Sequence, residues 1–249
     1  MIAHQNNFKA LCGDVGNAFI TADTREKVYF IAGREFGERQ GMTVIIRKAL
    51  YGLASSATCF HAHFGDTLRS LGFVPTRFDN DVWIRLSKDK KAYEYVCSHL
   101  DGFCIFSRDP QLIMNQIKSE FTVKSEGPPE YYLGNDFKKD RKGRWCMSCK
   151  TYIKEGIRRI KNIFDTLIKH DIPMVTRDHP KLDESKHLDD DEHTKYQMLI
   201  GMLKWIVTIG RIDIAFAVSS LSEARSHGQS IICFWLSKEI FQQKDSHRF

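Results

Sequence analysis

Residues 93–107 read YEYVCSHLDGFCIFS: two strand-like runs, YEYVCS and FCIFS, on either side of the four-residue tip His99-Leu100-Asp101-Gly102. Aromatic and β-branched residues crowd the flanks, and Asp-Gly at the tip lets the backbone reverse at little steric cost. This is the strongest hairpin signal in the chain, and an antiparallel sheet built around it is the expected core. On its N-terminal side, LCGDVGNAFI (11–20) reads as a strand running into a turn or short helix. VYFI (28–31), VIIR (44–47) and DVWIRL (81–86) read as further short strands. Residues 55–71 show helical spacing, with Phe60, Phe64, Leu68 and Leu71 on one stripe and Gly72 as the stop.

Beyond the hairpin, Asp109-Pro110 opens a helix, Asp as N-cap and Pro in the first turn, with Leu112, Ile113, Ile117 and Phe121 expected to face inward. YYLGNDF follows Pro128-Pro129 as a strand, and Lys142-Gly143 turns it into WCMSC. A basic amphipathic helix is expected over 152–169, using Ile153, Ile157, Ile160, Phe164 and Leu167. An acidic, proline-containing loop spans roughly 171–192, and helices follow near 193–208 and 213–224. The fold class is α+β: a small antiparallel sheet backed by helices over residues 10–150, a mainly helical segment over 151–224, and a divergent tail over 225–249.

The 249 residues are 42% hydrophobic and 27% charged, enough to bury a core and incompatible with a disordered tail. A net charge of +6 permits an anionic partner without the lopsidedness of a histone-like binder. No window holds eighteen unbroken apolar residues, which excludes an ordinary transmembrane helix, and the N-terminus lacks the pattern of a signal peptide. Seven cysteines lie in apolar or alternating runs, the pattern of reduced core thiols in a cytoplasmic or nuclear protein. Cys146 and Cys149 form a single Cys-x-x-Cys, too few ligands for a structural zinc. The strand-like start near Leu11 and the late apolar run IICFWL suggest a piece of something longer.

Two acids stand out. Asp14 interrupts an apolar strand, and Asp101 sits at the hairpin tip. Either alone has a structural explanation, since Asp near a strand end bonds local backbone and Asp-Gly makes turns. If the two strand ends are neighbours, their carboxylates become candidates to share divalent ions. The histidines give no metal constellation; His61 and His63, two apart on a helix, do not face each other. The stretch from Lys138 to Lys161 carries Lys138, Lys139, Arg141, Lys142, Arg144, Arg158, Arg159 and Lys161, with Trp145 as a stacking surface. That pattern reads either as a solvated face or as a phosphate-tracking surface.

Seven ordered segments carry a resemblance: DVGNAF (14–19), RKALYGL (47–53), LRSLGFVPTRFDNDVWI (68–84), HLDG (99–102), IKSEFTVKSEGPPEYYLGNDF (117–137), YQMLIGMLKWI (196–206) and RIDIAFAVSSLS (211–222). Together they are similar to the reverse transcriptase of copia-type retrotransposons. The resemblance implies a polymerase palm in which Asp14 and Asp101 are catalytic acids holding two Mg2+ ions about 3.5–4 Å apart. It implies that Phe19 lies beneath the sugar of an incoming deoxynucleoside triphosphate and that Ser55 occupies a nucleotide-contact position. It implies an RNA or DNA template–primer as partner, met by the basic 138–161 stretch.

The departures are as informative. The family's tip reads Tyr-Val-Asp-Asp, whereas here it is His-Leu-Asp-Gly, so a third acid is replaced by Gly102. The family's Lys-Gln after LYGL is here Ala54-Ser55, too short to reach a nucleotide. Arg-Pro-Asp becomes Arg211-Ile212-Asp213, read as a change in packing. The family's fingers subdomain and its ribonuclease H domain are expected to lie outside the sequence. The sequence therefore implies a reverse transcriptase fragment that no longer catalyses. The alternatives are a non-catalytic nucleic-acid-binding remnant and a protein–protein module that docks on full-length polymerase subunits.

Overall fold

The computed structural model describes residues 2–163 and 188–223. The chain divides into two units, Met1–Pro129 and Glu130–Phe249. Phe164 and Leu167 of the expected basic helix, residues 171–187 of the acidic loop and the tail 225–249 lie outside the described residues.

The first unit runs α1 (Ile2–Gln5), β1 (Lys9–Val15), α2 (Ala18–Thr21), β2 (Asp23–Ile31), β3 (Thr43–Lys48), α3 (Ser56–Ser70), β4 (Val74–Pro75), β5 (Val82–Leu86), β6 (Tyr93–His99), β7 (Gly102–Ser107), α4 (Pro110–Lys118) and β8 (Val123–Gly127). Six of these strands form one sheet in the order β4-β5-β6-β7-β1-β8, with every neighbouring pair antiparallel. β2 and β3 pair separately as a ribbon. The architecture is α+β, as the sequence implies.

Alternation along each strand assigns the faces. Trp83, Val96, Phe103 and Ile105 are buried with Phe60, Phe64 and Leu68 of α3 and with Ile113, Met114 and Ile117 of α4. Gly72, just past α3, has φ 86°, the left-handed conformation that ends a helix and favours glycine. Leu112 is 40% exposed, and Met114 takes the inward place expected for it. The reason is phase: Ile113, Met114, Ile117 and Phe121 form one stripe, and Leu112 falls about 100° behind it. Asp109 precedes the helix but makes no side-chain capping bond.

The thiols depart from expectation too. Cys12 and Cys104 are joined as a disulfide across 92 residues, because β1 and β7 pair with those two positions directly opposite.

The second unit contains β9 (Tyr131–Tyr132), β10 (Asn135–Lys139), β11 (Trp145–Ser148), α5 (Lys150–Ile163), α6 (Asp190–Thr208) and α7 (Ala215–Glu223). YYLGNDF is two strands rather than one. Leu133 and Gly134 both take positive φ, 50° and 84°, and reverse the chain between β9 and β10. The helices bury Ile153, Ile160, Leu199, Leu203, Ile206 and Val218 in one core, and Tyr196 donates its hydroxyl to the Leu221 carbonyl at 2.6 Å. The end of the acidic segment is already helix: Asp189 accepts from the Glu192 N–H, Glu192 returns a bond to the Asp189 N–H, and α6 starts at Asp190. This reciprocal pair satisfies two otherwise orphaned donors, and the acids of the first turn complement the helix dipole. Ile212 is 77% exposed at the turn into α7, so the Arg-Ile-Asp departure is not a packing change. Among the described residues no helix is long and apolar enough to cross a membrane.

Candidate active site

The hairpin tip is tighter than its four residues imply. His99 pairs with Gly102, leaving a two-residue turn of Leu100 and Asp101, with Leu100 at φ 52°. β1 lies directly beside β7, and Asp14 stands opposite Gly102. The Val15 N–H donates to the Asp101 carbonyl at 2.8 Å, which fastens the end of the first acidic strand to the turn bearing the second acid. Asp14 and Asp101, separated by most of the first unit in sequence, are thus brought to one end of the sheet. Both are partly exposed.

Gly13 shows why Asp14 sits where it does. Its neighbour on the helix-facing side is Phe103, whose ring tip would lie 2.6 Å from a Cβ at Gly13. Glycine therefore lets the aromatic core rise against β1 while Asp14 points to the opposite face.

A residue not singled out from the sequence completes the cluster. β8 carries one extra residue relative to β1: Asp14 faces Ser125 and Val15 faces Val123, so Lys124 is the bulge. Its aliphatic stem crosses Gly16, where a Cβ would come within 2.9 Å of Lys124 Cγ. Burial and, next, the charge of Asp101 raise the Asp14 carboxyl above its ordinary range, and the Lys124 ammonium pulls it back down. The available signal was the pair of facing features, a small Gly16 and an isolated lysine in FTVKSEG, but only the register connects them.

Phe19 is the second residue of α2, whose N-cap Asn17 is left-handed (φ 53°). Its ring lies 4.6 Å from that of Tyr51 and 6.4 Å from that of Phe60, so it bridges the core to the partly exposed LYGL segment. Ser55 begins α3, and its backbone N–H donates to Glu26 Oε1 at 2.8 Å. Hydrogen bonds from Ser55 hold the Glu26 carboxyl below its usual range. Ser55 is thus engaged with β2.

The basic stretch lies in the second unit and is divided among several tasks. Arg144 is committed to Asp140, with a 2.7 Å ion pair, while Asp140 also accepts the Lys142 and Arg144 N–H groups and clasps the turn. Arg158 pairs with Glu155 at 2.8 Å. Lys139 Nζ lies 5.0 Å from the centre of the Trp145 ring, covering one face of that stacking surface. Lys138, Arg141, Lys142, Arg159 and Lys161 are exposed.

Two Mg2+ ions need a denser cage of hard oxygens than this. Asp14 faces a glycine where the family resemblance implies a further carboxylate, and a lysine's charge stands beside it. Among the described residues no group of three or more His, Cys, Asp or Glu side chains is placed to hold a metal ion. The donor set does not fit the two-ion site.

An antiparallel sheet backed by helices, with an acid on the strand beside an acid-tipped hairpin, is the arrangement the copia-type resemblance implies, and comparison with known proteins agrees. The family model for reverse transcriptase (RNA-dependent DNA polymerase) matches residues 1–175, and the chain belongs to that family. Among its relatives is the retrovirus-related Pol polyprotein from transposon RE1 of Arabidopsis thaliana, 27% identical over 215 residues, covering 84% of this chain and 14% of the polyprotein. A transposon Ty5-1 protein of Saccharomyces cerevisiae is 24% identical, covering 84% of this chain and 68% of its own length. The Pol polyprotein from transposon RE2 of Arabidopsis thaliana is 25% identical, and the chain again spans 14% of it.

Proposed function

We propose that this chain is a retrotransposon reverse transcriptase palm whose ancestral reaction, addition of deoxynucleotides to a primer on an RNA or DNA template, has been lost. The observation that carries this reading is the register of β1 on β7: Asp14 faces Gly102, so the hairpin offers it the carboxylate of Asp101 alone. With two acids and a neighbouring ammonium, the site lacks the negative charge that would hold two divalent cations. Ser55 adds to the loss. It stands where the family has a glutamine, and its backbone is engaged by Glu26. In this reading Asp14 and Asp101 are vestiges of the catalytic pair, and Phe19, packed against Tyr51 and Phe60, is the aromatic that the family resemblance puts beneath the nucleotide sugar.

Calorimetric titration with MgCl2 tests this directly. The chain as it stands is expected to bind magnesium in the millimolar range or weaker, and Gly102→Asp, which adds a hard oxygen donor, should tighten it severalfold. Binding of two magnesium ions at micromolar concentration by the unmodified chain would refute the proposal.

A second reading, retained binding of template–primer duplex, is favoured by the exposure of Lys138, Arg141, Lys142, Arg159 and Lys161 on the second unit. Its affinity should fall with salt along a log–log slope of about −0.9 per phosphate contacted, alike for all sequences. Affinity that is flat between low and physiological salt would leave these residues as a solvated face.

A further inference from the structure

Three neighbouring strands carry a cysteine at the same register. Cys12 of β1 stands opposite Cys104 of β7, and Cys104 stands opposite Cys97 of β6. Residues directly opposed across antiparallel strands share a face, with strand spacing of about 4.8 Å. The three side chains therefore share one face, with Cys104 in the middle. The disulfide occupies the Cys12–Cys104 pair, and Cys97 carries a thiol. On the same face, two residues further along each strand toward the hairpin tip, stand Asp14, Gly102 and His99, so the bridge and the acid are neighbours on one face of the sheet.

We propose that Cys97, Cys104 and Cys12 form a thiol–disulfide exchange site, in which the bridge moves between β1–β7 and β7–β6. In the step, the Cys97 thiolate attacks Cys104 Sγ. The Cys97–Cys104 bond forms as the Cys104–Cys12 bond breaks, and Cys12 leaves as a thiolate that takes up the proton Cys97 gave up. Electrons balance within the chain, with no net oxidation. Displacement at sulfur proceeds with attacking, central and leaving sulfurs in line, and the strand order places Cys97 on the side of Cys104 opposite Cys12. Cys97 is largely buried, and burial, with the charge of Asp79, pushes its thiol up to about 11. Exchange is accordingly slow at neutral pH unless a small thiol–disulfide couple assists it. When the bridge moves to β6, β1 loses its covalent tie to the acid-bearing hairpin. The Asp14 strand is then held to the Asp101 turn by backbone hydrogen bonds only, which gives the fold a thiol-exchangeable joint beside the former catalytic pair.

The test uses the full chain incubated in a buffer of reduced and oxidised glutathione, quenched with acid, alkylated and digested with trypsin. The sequence makes the readout unambiguous: Cys12 lies in peptide 10–25, while Cys97 and Cys104 share peptide 92–108. The resting bridge appears as 10–25 cross-linked to 92–108. The exchanged bridge appears as 92–108 two hydrogens lighter, with Cys12 alkylated on 10–25 or capped by glutathione. Both products are expected from the wild-type chain, and the internal bridge alone from Cys12→Ser. A wild-type digest with only the 10–25/92–108 cross-link would overturn the proposal. So would bridges to Cys59, Cys146, Cys149 or Cys233, which would mark reshuffling through unfolded molecules.

Discussion

Replacing Glu94 by leucine should cost the first unit about 3–5 kcal/mol, the range for stranding one partner of a buried ion pair. Arg85 and Glu94 face each other across β5 and β6, with side chains only 16% and 14% exposed. Arg85 donates Nε and a terminal nitrogen to Glu94 Oε2 at 3.0 and 2.8 Å, and its other terminal nitrogen to the Leu71 carbonyl at 2.7 Å. Its guanidinium lies over Phe73, 4.3 Å from the ring centre. The other oxygen of Glu94 accepts from Ser107 at the end of β7. One pair thereby ties the end of α3, β5, β6 and the hairpin strand together. In Glu94→Leu the guanidinium keeps its burial and loses its counter-charge. In Arg85→Met/Glu94→Leu neither charge remains, and what persists is a carbonyl and a hydroxyl with fewer partners. The double variant should therefore lose less than the sum of the single losses, by about 0.5–3 kcal/mol. Cys59, buried on α3, reports on this unit alone. Pulsed alkylation of Cys59 across a urea series should show the midpoint of Glu94→Leu lowered by roughly 1–5 M for a slope of about 1–3 kcal/mol/M. Losses that simply add, or a single-variant loss under about 1 kcal/mol, would show that the pair behaves as a surface salt bridge.

Two further outcomes follow from the acid-bearing strand. Gly13→Ala places a methyl 2.6 Å from the Phe103 ring tip and should destabilise the unit by about 1–3 kcal/mol in the same alkylation assay, while Gly127→Ala, which meets nothing, serves as the comparison. Asp14→Asn should stabilise the fold at neutral pH without added metal. A carboxyl raised above its unfolded value of 3.8 penalises the folded state fully above the folded pKa and not at all below the unfolded one, so the gain of the Asn variant should vanish in acid. A gain that persists at low pH would place its origin outside the titration of Asp14.

Local features were legible because their signals are local. The Asp-Gly tip, the Phe60–Phe64–Leu68 stripe and the Gly72 stop each depend on residues within a few positions of one another. What escaped depends on pairing. Nothing near Cys12 reveals that it lies opposite Cys104, 92 residues away, until the strand order is known. The place of Lys124 at Asp14 needs both the β1–β8 register and the one-residue bulge within it. Leu133 was missed for a different reason: a leucine at φ 50° is unfavourable, so YYLGNDF reads as one strand although Gly134 marks the reversal. At the candidate site, Asp14 was visible as an acid interrupting an apolar strand and Asp101 as an acid at the hairpin tip, while Gly102 stood out only against the family resemblance. The engagement of Ser55 by Glu26 was not, since 29 residues separate them.

Primer extension decides whether Asp14 and Asp101 still catalyse. The full chain, an Asp14→Ala control and a family polymerase with an intact Asp-Asp tip are incubated with a primed homopolymer template, the matching deoxynucleoside triphosphate and magnesium. Extension is expected from the intact polymerase, and none above background from this chain or its Asp14→Ala variant. Robust extension by the unmodified chain that disappears in Asp14→Ala would contradict it, showing that Asp14 and Asp101 suffice for catalysis without a carboxylate at 102.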